Sequence, residues 1–365
     1  MPARNQRLIF VAIAALLLLR ADGGAQSFTI PNAVISRLHH QYRNMGRVAT
    51  SPTRSRQDTI GFKFVSIDVP GAAGTIAAGI NARGDIVGIY FDNDFNEHGF
   101  LLKDGHFTTV DVPGSLVGVS GTLQTEANGI NPAGDIVGDY FAPPGASGAP
   151  ECVIAFSPAC RRGFLYSNGR FSDVLVPGKK GSIPNAITPD GDIYGCDHDD
   201  DYFGSMFGFL RTRFGSFLTL DAGGGELANP ARSVPGSMNN DATPDGRTIV
   251  GLYVDPASNA GQYHGYIVQN GNFYTYDVPG STLTQIWGIN SEAEFVGLYD
   301  DSDGSEHGFL QRRGAALPVT IDVPSGPPFN SVLTDSFAIS PAAVIVGLYS
   351  DSSGNLHGYA AVPTK

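Results

Sequence analysis

The stretch GINARGDIVGIYFDNDFNEHGFL, from Gly79 to Leu101, contains the pattern that decides the fold. Asn81 and Gly84 are typical of a tight turn, in which glycine supplies a positive φ. In the DIVGIY run that follows, both alternating faces carry apolar side chains. A strand with this pattern is covered on both sides. The acidic turn and the HGFL segment after it predict a further strand.

The same unit recurs from Gly61 onward, and internal repeats of this kind determine an architecture. Three markers each occur six times, some in degraded form. The D-V-P-G step lies at Asp68, Asp111, Leu175, Asp221, Asp277 and Asp322. The I-V-G step ends at Gly88, Gly138, Gly195, Gly251, Gly297 and Gly347. The H-G-F step has its glycine at Gly99, Gly163, Gly208, Gly265, Gly308 and Gly358.

Each unit offers four short β segments separated by turn residues. Six four-stranded units of roughly 45 residues predict an all-β fold, a six-bladed β-propeller of antiparallel blades. A linear β-solenoid is the alternative. The opening strand, Phe62 to Val69, should pair beside the last strand, His357 to Val362, and so close the ring. Within a blade we expect the G-I-N strand innermost, followed by D-I-V-G, H-G-F-L and the D-V-P-G strand.

The strings G-I-N-x-x-G-D-I-V-G-x-Y and H-G-F-L-x-x-G-x-F-x-x-x-D-V-P-G resemble the HAF family of bacterial extracellular repeats. The resemblance covers nearly all of the chain after Gly61. It implies an exported repeat protein with no assigned reaction. Departures from the pattern concentrate at Leu175, Gly208 and Asp241 and in an insertion in the second repeat.

The N-terminal residues have the features of a secretory signal peptide, with Arg4 and Arg7 before an apolar run from Leu8 to Leu19. We expect residues 1–25 to be removed by cleavage after Ala25, and the mature protein to be periplasmic or extracellular. Residues 26–60 are rich in arginine and predict a flexible leader, with a basic contact arm as the alternative. Residues 61–365 form the repeat domain.

The net charge of −12 disfavours nucleic acid and anionic membrane as partners, because both select for basic surfaces. No segment after the leader is long and apolar enough to predict a membrane span. The expected partner is therefore an extracellular ligand, either a glycan or a protein.

The three cysteines suggest one disulfide and one inert thiol. Cys152 and Cys160 lie close together in the insertion from Phe141 to Arg162, and an exported protein would pair them. Cys196 lies on an apolar strand pattern with no basic neighbour and predicts a buried thiol. The insertion itself is either a binding loop or an insertion without a role.

Within one blade we group Asp68, Thr75 and His98, an acid, a hydroxyl and an imidazole that resemble a catalytic triad out of context and recur in other repeats. Because they recur, we interpret them as a structural hydrogen-bond network that satisfies the buried polar groups of each blade. The predicted members are Asp68, Thr75, His98, Asp111, Asp277, Thr284, His307, Asp322, Thr334 and His357.

The acidic turns have oxygen-rich compositions that favour either ordinary hairpins or calcium sites. Repeat one carries Asp92, Asp94 and Glu97, and repeat five carries Asp300, Asp301, Asp303 and Glu306. We predict no cofactor, with calcium kept open at Asp300, Asp301 and Asp303. The run from Asp197 to Asp201 is interpreted as a solvated acidic loop.

One position varies where the rest of the repeat is constant, namely the residue before the G-I step. The series reads Ala78, Asn128, Asn185, Asn240, Trp287 and Phe337. If it faces the central channel, amides and aromatic rings would ring one mouth, a composition suited to carbohydrate or peptide. The alternative is that these side chains plug the channel or pack between blades.

The sequence carries no H-E-x-x-H, G-x-S-x-G or phosphate-loop motif. We also identify no acid pair that departs from the repeat pattern. We therefore favour a non-catalytic binding or surface scaffold. A propeller glycoside hydrolase or polysaccharide lyase, and a purely structural or adhesive repeat protein, are the alternatives.

Overall fold

The computed structural model describes residues 61–143, 146–147, 161–198, 206–220, 236–254, 263–269 and 271–364. The predicted signal peptide and leader, Cys152 and Cys160 with most of the insertion, and Asp221 lie outside the described residues. Within these ranges no helix is long and apolar enough to cross a membrane.

The described strands form six four-stranded antiparallel sheets, so the fold is a six-bladed β-propeller, as predicted. The first strand is β1 (Gly61–Ile67), which belongs to the sixth blade. The other strands of blades one to three are β2 (Gly74–Ile80), β3 (Ile86–Phe91), β4 (Glu97–Lys103), β5 (His106–Thr109), β6 (Thr125–Ile130), β7 (Ile136–Phe141), β8 (Arg161–Ser167), β9 (Arg170–Val174), β10 (Gly181–Ile187), β11 (Ile193–His198), β12 (Met206–Arg211) and β13 (Phe217–Thr219).

The strands of blades four to six complete the ring, and a 3-10 helix (Gly114–Val117) lies between β5 and β6. The strands are β14 (Ser237–Ala242), β15 (Thr248–Val254), β16 (Tyr263–Gln269), β17 (Asn272–Tyr276), β18 (Leu283–Ile289), β19 (Phe295–Asp300), β20 (Glu306–Gln311), β21 (Val319–Ile321), β22 (Ser331–Ile339), β23 (Ile345–Asp351) and β24 (Leu356–Thr364).

The N-terminal strand closes the ring. It pairs antiparallel with β24, from Gly61 opposite Thr364 to Ile67 opposite Gly358, and forms the outermost strand of blade six. The G-I-N strands lie innermost, and each contacts the inner strands of both neighbouring blades, with β22 returning to β2. The predicted strand order and closure are therefore confirmed.

Apolar layers between adjacent blades form the core. Each of the six blade interfaces has its own buried cluster; Val296, Leu310 and Tyr359, for example, lie between blades five and six. Burial of this apolar area between blades is what holds the ring together.

The glycine of each I-V-G step has a packing role. It lies opposite the aromatic residue of the next strand, as Gly297 opposes Phe309, and the aromatic side chains at this position are almost fully buried. A Cβ on Gly297 would lie 1.9 Å from the carbonyl oxygen of Gln285 and 2.8 Å from the Phe309 ring. The step needs glycine because the ring and the inner strand occupy the space of a side chain.

We expect Gly297→Ala to lower the free energy of unfolding by about 3 kcal/mol, because overpacking displaces both the ring and the inner strand. Urea unfolding followed by tryptophan fluorescence measures the change. Gly326→Ala is the matched control, since a Cβ there meets nothing within 4 Å. An equal decrease in the free energy of unfolding in the two variants would contradict the packing role of Gly297.

Candidate functional site

At one equivalent position of every inner strand, a residue has no partner in the neighbouring strand and forms a β-bulge. The register of all six inner strands shifts at this point. The bulged residues are Ala78, Asn128, Asn185, Asn240, Trp287 and Phe337, which is the series singled out in the sequence. All six line one central cavity of about 140 Å³, so the structure brings them together.

The three amides of this series tie neighbouring blades together. Each side-chain NH₂ donates to the backbone carbonyl that precedes the bulge of the next blade. The pairs are Asn128 to Pro184 (3.1 Å), Asn185 to Asn239 (3.1 Å) and Asn240 to Ile286 (2.7 Å). This geometry agrees with the alternative in which the amides pack between blades; their binding role stays a prediction.

The two aromatic residues of the series face the cavity as a pair. The rings of Trp287 and Phe337 are in edge contact, with centroids 5.3 Å apart at 74°. The Trp287 indole Nε1 donates to the side-chain oxygen of Gln285 at 3.0 Å. Both rings remain partly exposed, which leaves apolar surface for a bound group.

A second variable position lies two residues before each bulge, and the sequence analysis missed it. It is apolar in blades one, three and four, but polar in the other three blades. The series reads Ile76, Glu126, Ile183, Met238, Gln285 and Asp335. All six side chains line the cavity. The sequence analysis identified no acid pair that departs from the repeat pattern, but Glu126 and Asp335 both depart from it at this position. Aligning the residue after each inner-strand Thr or Ser would have shown the departure.

The first polar group, which we call the Arg161 arc, consists of Glu97, Glu126, Asp139 and Arg161. The Arg161 guanidinium pairs with Glu126 and lies 2.5 Å from Asp139, and all four side chains are buried. Burial raises the pKa of Glu126 to about 8 and that of Asp139 to about 7, although Arg161 favours both ionised forms. Arg161 is thus the counter-ion of this arc.

The second polar group, the Asp335 arc, consists of Gln285, Asp300, Glu306 and Asp335. Asp335 is fully buried, and no N–H or hydroxyl of the described residues donates to its oxygens, but its carboxyl is in hydrogen-bonding contact with the carboxyl of Glu306. Burial raises its pKa well above the usual value, and the neighbouring Glu306 carboxyl adds to the shift. Burial likewise raises the pKa of Asp300 to about 6.

The predicted histidine network is present, and none of its residues lines the cavity. Each histidine Nδ1 pairs with the aspartate of a D-V-P-G step, and each ring stacks on a second-strand tyrosine at centroid distances of 4.8–5.3 Å. The pairs are His98 with Asp111 (2.7 Å), His264 with Asp277 (2.9 Å), His307 with Asp322 (2.9 Å) and His357 with Asp68 (2.9 Å).

The hydroxyls of the network serve the backbone. Each accepts a hydrogen bond from the valine N–H of a D-V-P-G step at 3.0 Å. The acceptors are Thr75, Thr125, Thr284 and Thr334. Grouping Asp68, Thr75 and His98 in one blade was wrong: Asp68 bonds His357 because β1 belongs to blade six, and His98 bonds Asp111. The triad-like set is not assembled.

The acidic turns are capped by their first aspartate. Asp301 Oδ1 accepts from the N–H groups of Asp303 and Ser305 at 2.8 and 2.9 Å, and Asp92 and Asp351 do the same in their turns. Asp300 lies instead beside Glu306, and Asp303 is exposed. In the described part of the chain no group of three or more possible ligands is arranged to hold a metal ion. Calcium stays a prediction without support from this geometry.

Two residues predicted to be in a solvated loop are in the core. Asp197 and His198 end strand β11 and are fully buried, so that interpretation was wrong; Asp199 to Asp201 lie outside the described residues. Lys179 lies 3.1 Å from Asp197. Cys196 is a free, fully buried thiol whose pKa is raised by burial, as expected. The expectation that it has no basic neighbour is wrong, because its Sγ lies 3.5 Å from Nε2 of His198.

No protein family model matches the chain, and no curated protein matches it. Solved structures with similar folds include TolB from Acinetobacter baumannii, with 12% identity and a TM-score of 0.46 over 81% of this chain and 65% of TolB. A mutant of the Aleuria aurantia lectin in complex with Fucα1-6GlcNAc has 12% identity and a TM-score of 0.45 over 80% of this chain and 95% of the lectin. The polysaccharide lyase Uly1 has 11% identity and a TM-score of 0.40 over 80% and 78%. The chain thus spans just under two thirds of TolB, and these similarities concern the fold alone.

The buried acids and the paired histidines both make stability depend on pH. Burial raises the pKa of Asp241 from 3.8 to about 7, so the folded state binds more protons than the unfolded state between these values. Burial alone would lower the pKa of His98, His307 and His357, but their aspartate partners outweigh it and raise it. Both effects stabilise the folded state at mildly acidic pH and are lost as the pH rises.

We therefore expect the thermal midpoint to fall by at least about 2 °C, the change for roughly 1 kcal/mol in a domain of this size, between pH 5.5 and pH 8.5. Scanning calorimetry measures it. Asp241→Asn, which has no proton to lose in this range, should show a weaker dependence of the midpoint on pH than the native chain. If the thermal midpoint of this variant fell with pH as steeply as that of the native chain, Asp241 would not be one of the groups that cause the pH dependence.

Proposed function

We propose that this protein is an exported binding scaffold whose ligand, a carbohydrate or a peptide segment, occupies the central channel. The observation that carries the proposal is the combination of partly exposed aromatic rings with buried polar atoms that lack partners in the described residues. The aromatic rings are those of Trp287 and Phe337. The atoms are both oxygens of Asp335, Oε1 of Glu126 and Nε2 of Gln285.

Buried polar groups without hydrogen bonds cost about 1–3 kcal/mol each, and native proteins contain few of them. Here three acceptor oxygens and one donor nitrogen of this kind belong to residues that line the same cavity. A hydroxyl or an amide group of a ligand can donate to the carboxylates and accept from Gln285, while a sugar ring face or an apolar side chain packs on Trp287.

The size of the cavity limits the bound group. A water molecule needs about 10–15 Å³ of such space, so 140 Å³ corresponds to roughly ten waters. That space suits one sugar residue or one long side chain. The ligand would therefore insert a terminal group into the channel rather than lie wholly within it.

A catalytic function is the second candidate, and one observation favours it. The carboxyls of Asp335 and Glu306 lie together in the cavity wall, and burial raises the pKa of Asp335, as in sites that use one carboxyl as an acid. Release of reducing sugar from a glycan by the purified chain, lost in Asp335→Asn, would establish this alternative.

We expect Trp287→Ala to leave the fold intact and to weaken binding of any channel ligand at least tenfold, or about 1.4 kcal/mol. The protein is first screened by thermal shift against soluble glycans and peptides, and the ligands found are titrated by calorimetry. Phe214→Ala is the control, because this ring is 83% exposed and does not line the cavity. Equal affinity of Trp287→Ala and the native chain would exclude the channel as the site.

A further inference from the structure

The two polar arcs, each of which contributes some of its side chains to the cavity lining, differ in their charge balance. The Arg161 arc contains a buried guanidinium against its carboxylates. In the Asp335 arc, the described residues that act most strongly on Asp335 are Glu306 and Asp300, and both are acids. A buried carboxylate without a cation or donors is costly, and proteins normally pair such a group or keep it protonated.

The other ionisable groups around this arc are engaged elsewhere or neutral. His307 influences Asp300, but its two ring nitrogens face Asp322 and Asp301, at 2.9 and 3.4 Å. Burial raises the pKa of the Tyr359 phenol, so it is neutral, and its hydroxyl is 2.7 Å from the Ser336 hydroxyl. Neither group supplies Asp335 with a positive charge.

Aromatic surface adjoins the acids. Trp287 and Phe337 follow Gln285 and Asp335 two residues later on adjacent inner strands, and all four line the same cavity. An aromatic face beside a carboxylate is a combination that recognises an organic cation, because the ring quadrupole and the negative charge both attract a positive charge. A neutral sugar would pack on the ring and donate hydroxyls to the acids, but it would bring no positive charge to them, and an acidic ligand would be repelled by them.

We propose that the ligand inserts an ammonium group into the channel, between the Asp335 arc and the Trp287–Phe337 pair. This inference rests on the proposed function and names the chemistry of the inserted group. Asp335 and Glu306 would receive the N–H donors, and the aromatic rings would contact the adjoining carbon atoms. The shared chemistry is a primary ammonium, whether it belongs to an amino sugar or to a lysine side chain.

Proton linkage follows from this arrangement. Burial and the neighbouring Glu306 carboxyl raise the pKa of Asp335 well above its usual value, so they favour its protonated form when no cation is bound. An ammonium group favours the ionised form, so binding should release a proton. Affinity should therefore fall as the pH is lowered from 8 to 5.5, a range in which a lysine ammonium stays charged.

The test compares matched pairs of probes on the full chain by titration calorimetry at pH 7.5. One pair is D-glucosamine and D-glucose, and the other is Nα-acetyl-lysine methylamide and Nα-acetyl-norleucine methylamide. We expect the amine of at least one pair to bind at least tenfold more tightly than its neutral partner. The pair that shows the preference identifies the source of the ammonium.

Asp335→Asn should reduce the preference for the amine to less than about threefold. The control is Asp303→Asn, which changes an exposed acid of the adjacent blade and should retain the preference. Glu306→Gln gives a second variant should Asp335→Asn not fold, and the fall in affinity of the native chain at pH 5.5 is measured with the lysine derivative.

The outcomes are distinguishable. Binding of neutral probes as tightly as amines would overturn the ammonium inference and leave the proposed binding function standing. A preference for amines that survives in both acid variants, or saturable binding of calcium in place of the amine, would also overturn it. No binding of any probe, together with a negative screen of glycans and peptides, would contradict both proposals.

Discussion

The β-bulge in each inner strand is the constraint on which the rest of this propeller depends. The residue after each bulge lies against the backbone of the next blade; a Cβ on Gly79, for example, would be 2.7 Å from the carbonyl oxygen of Asn128. Six inner strands can approach this closely only if a small residue follows the bulge in most blades. The bulged residue itself has no strand partner and is turned toward the axis. Its side chain can therefore vary without changing the strand pairing within the blade.

Away from the axis the repeated polar residues have a different function. The pairing of His307 with Asp322 and its stacking on Tyr299 recur in several blades, and these contacts join the outer strands. A network repeated in most blades cannot distinguish one blade from another. Recognition of a ligand requires asymmetry, and in this chain the asymmetry is concentrated at the axis, at the bulge and two residues before it.

Much of the fold could be predicted from the sequence, because strand spacing, glycine steps and turn residues repeat with a period that few architectures accommodate. The placement of Trp287 and Phe337 could be predicted for the same reason. Glu126 and Asp335 were not recognised as site residues, because burial of an acid depends on which face of a strand meets the axis. Glu306 was assigned to a turn, since the sequence alone does not show that it pairs with Asp300 at the start of a strand. The partner of Asp68 depended on a closure 289 residues away.

The energetic cost of burying acids beside the channel is itself an argument about function. Blades one, three and four place Ile76, Ile183 and Met238 where blade six has Asp335, so the fold does not need an acid at this position. Replacing a buried charge by an apolar residue of similar size is commonly neutral or stabilising. In blade two the acid is at least compensated by Arg161. In blade six no cation of the described residues compensates it, and its raised pKa means that the folded state loses stability as the pH rises. An uncompensated, fully buried carboxylate on the channel wall is therefore better explained by a partner that arrives from outside the chain than by the demands of folding.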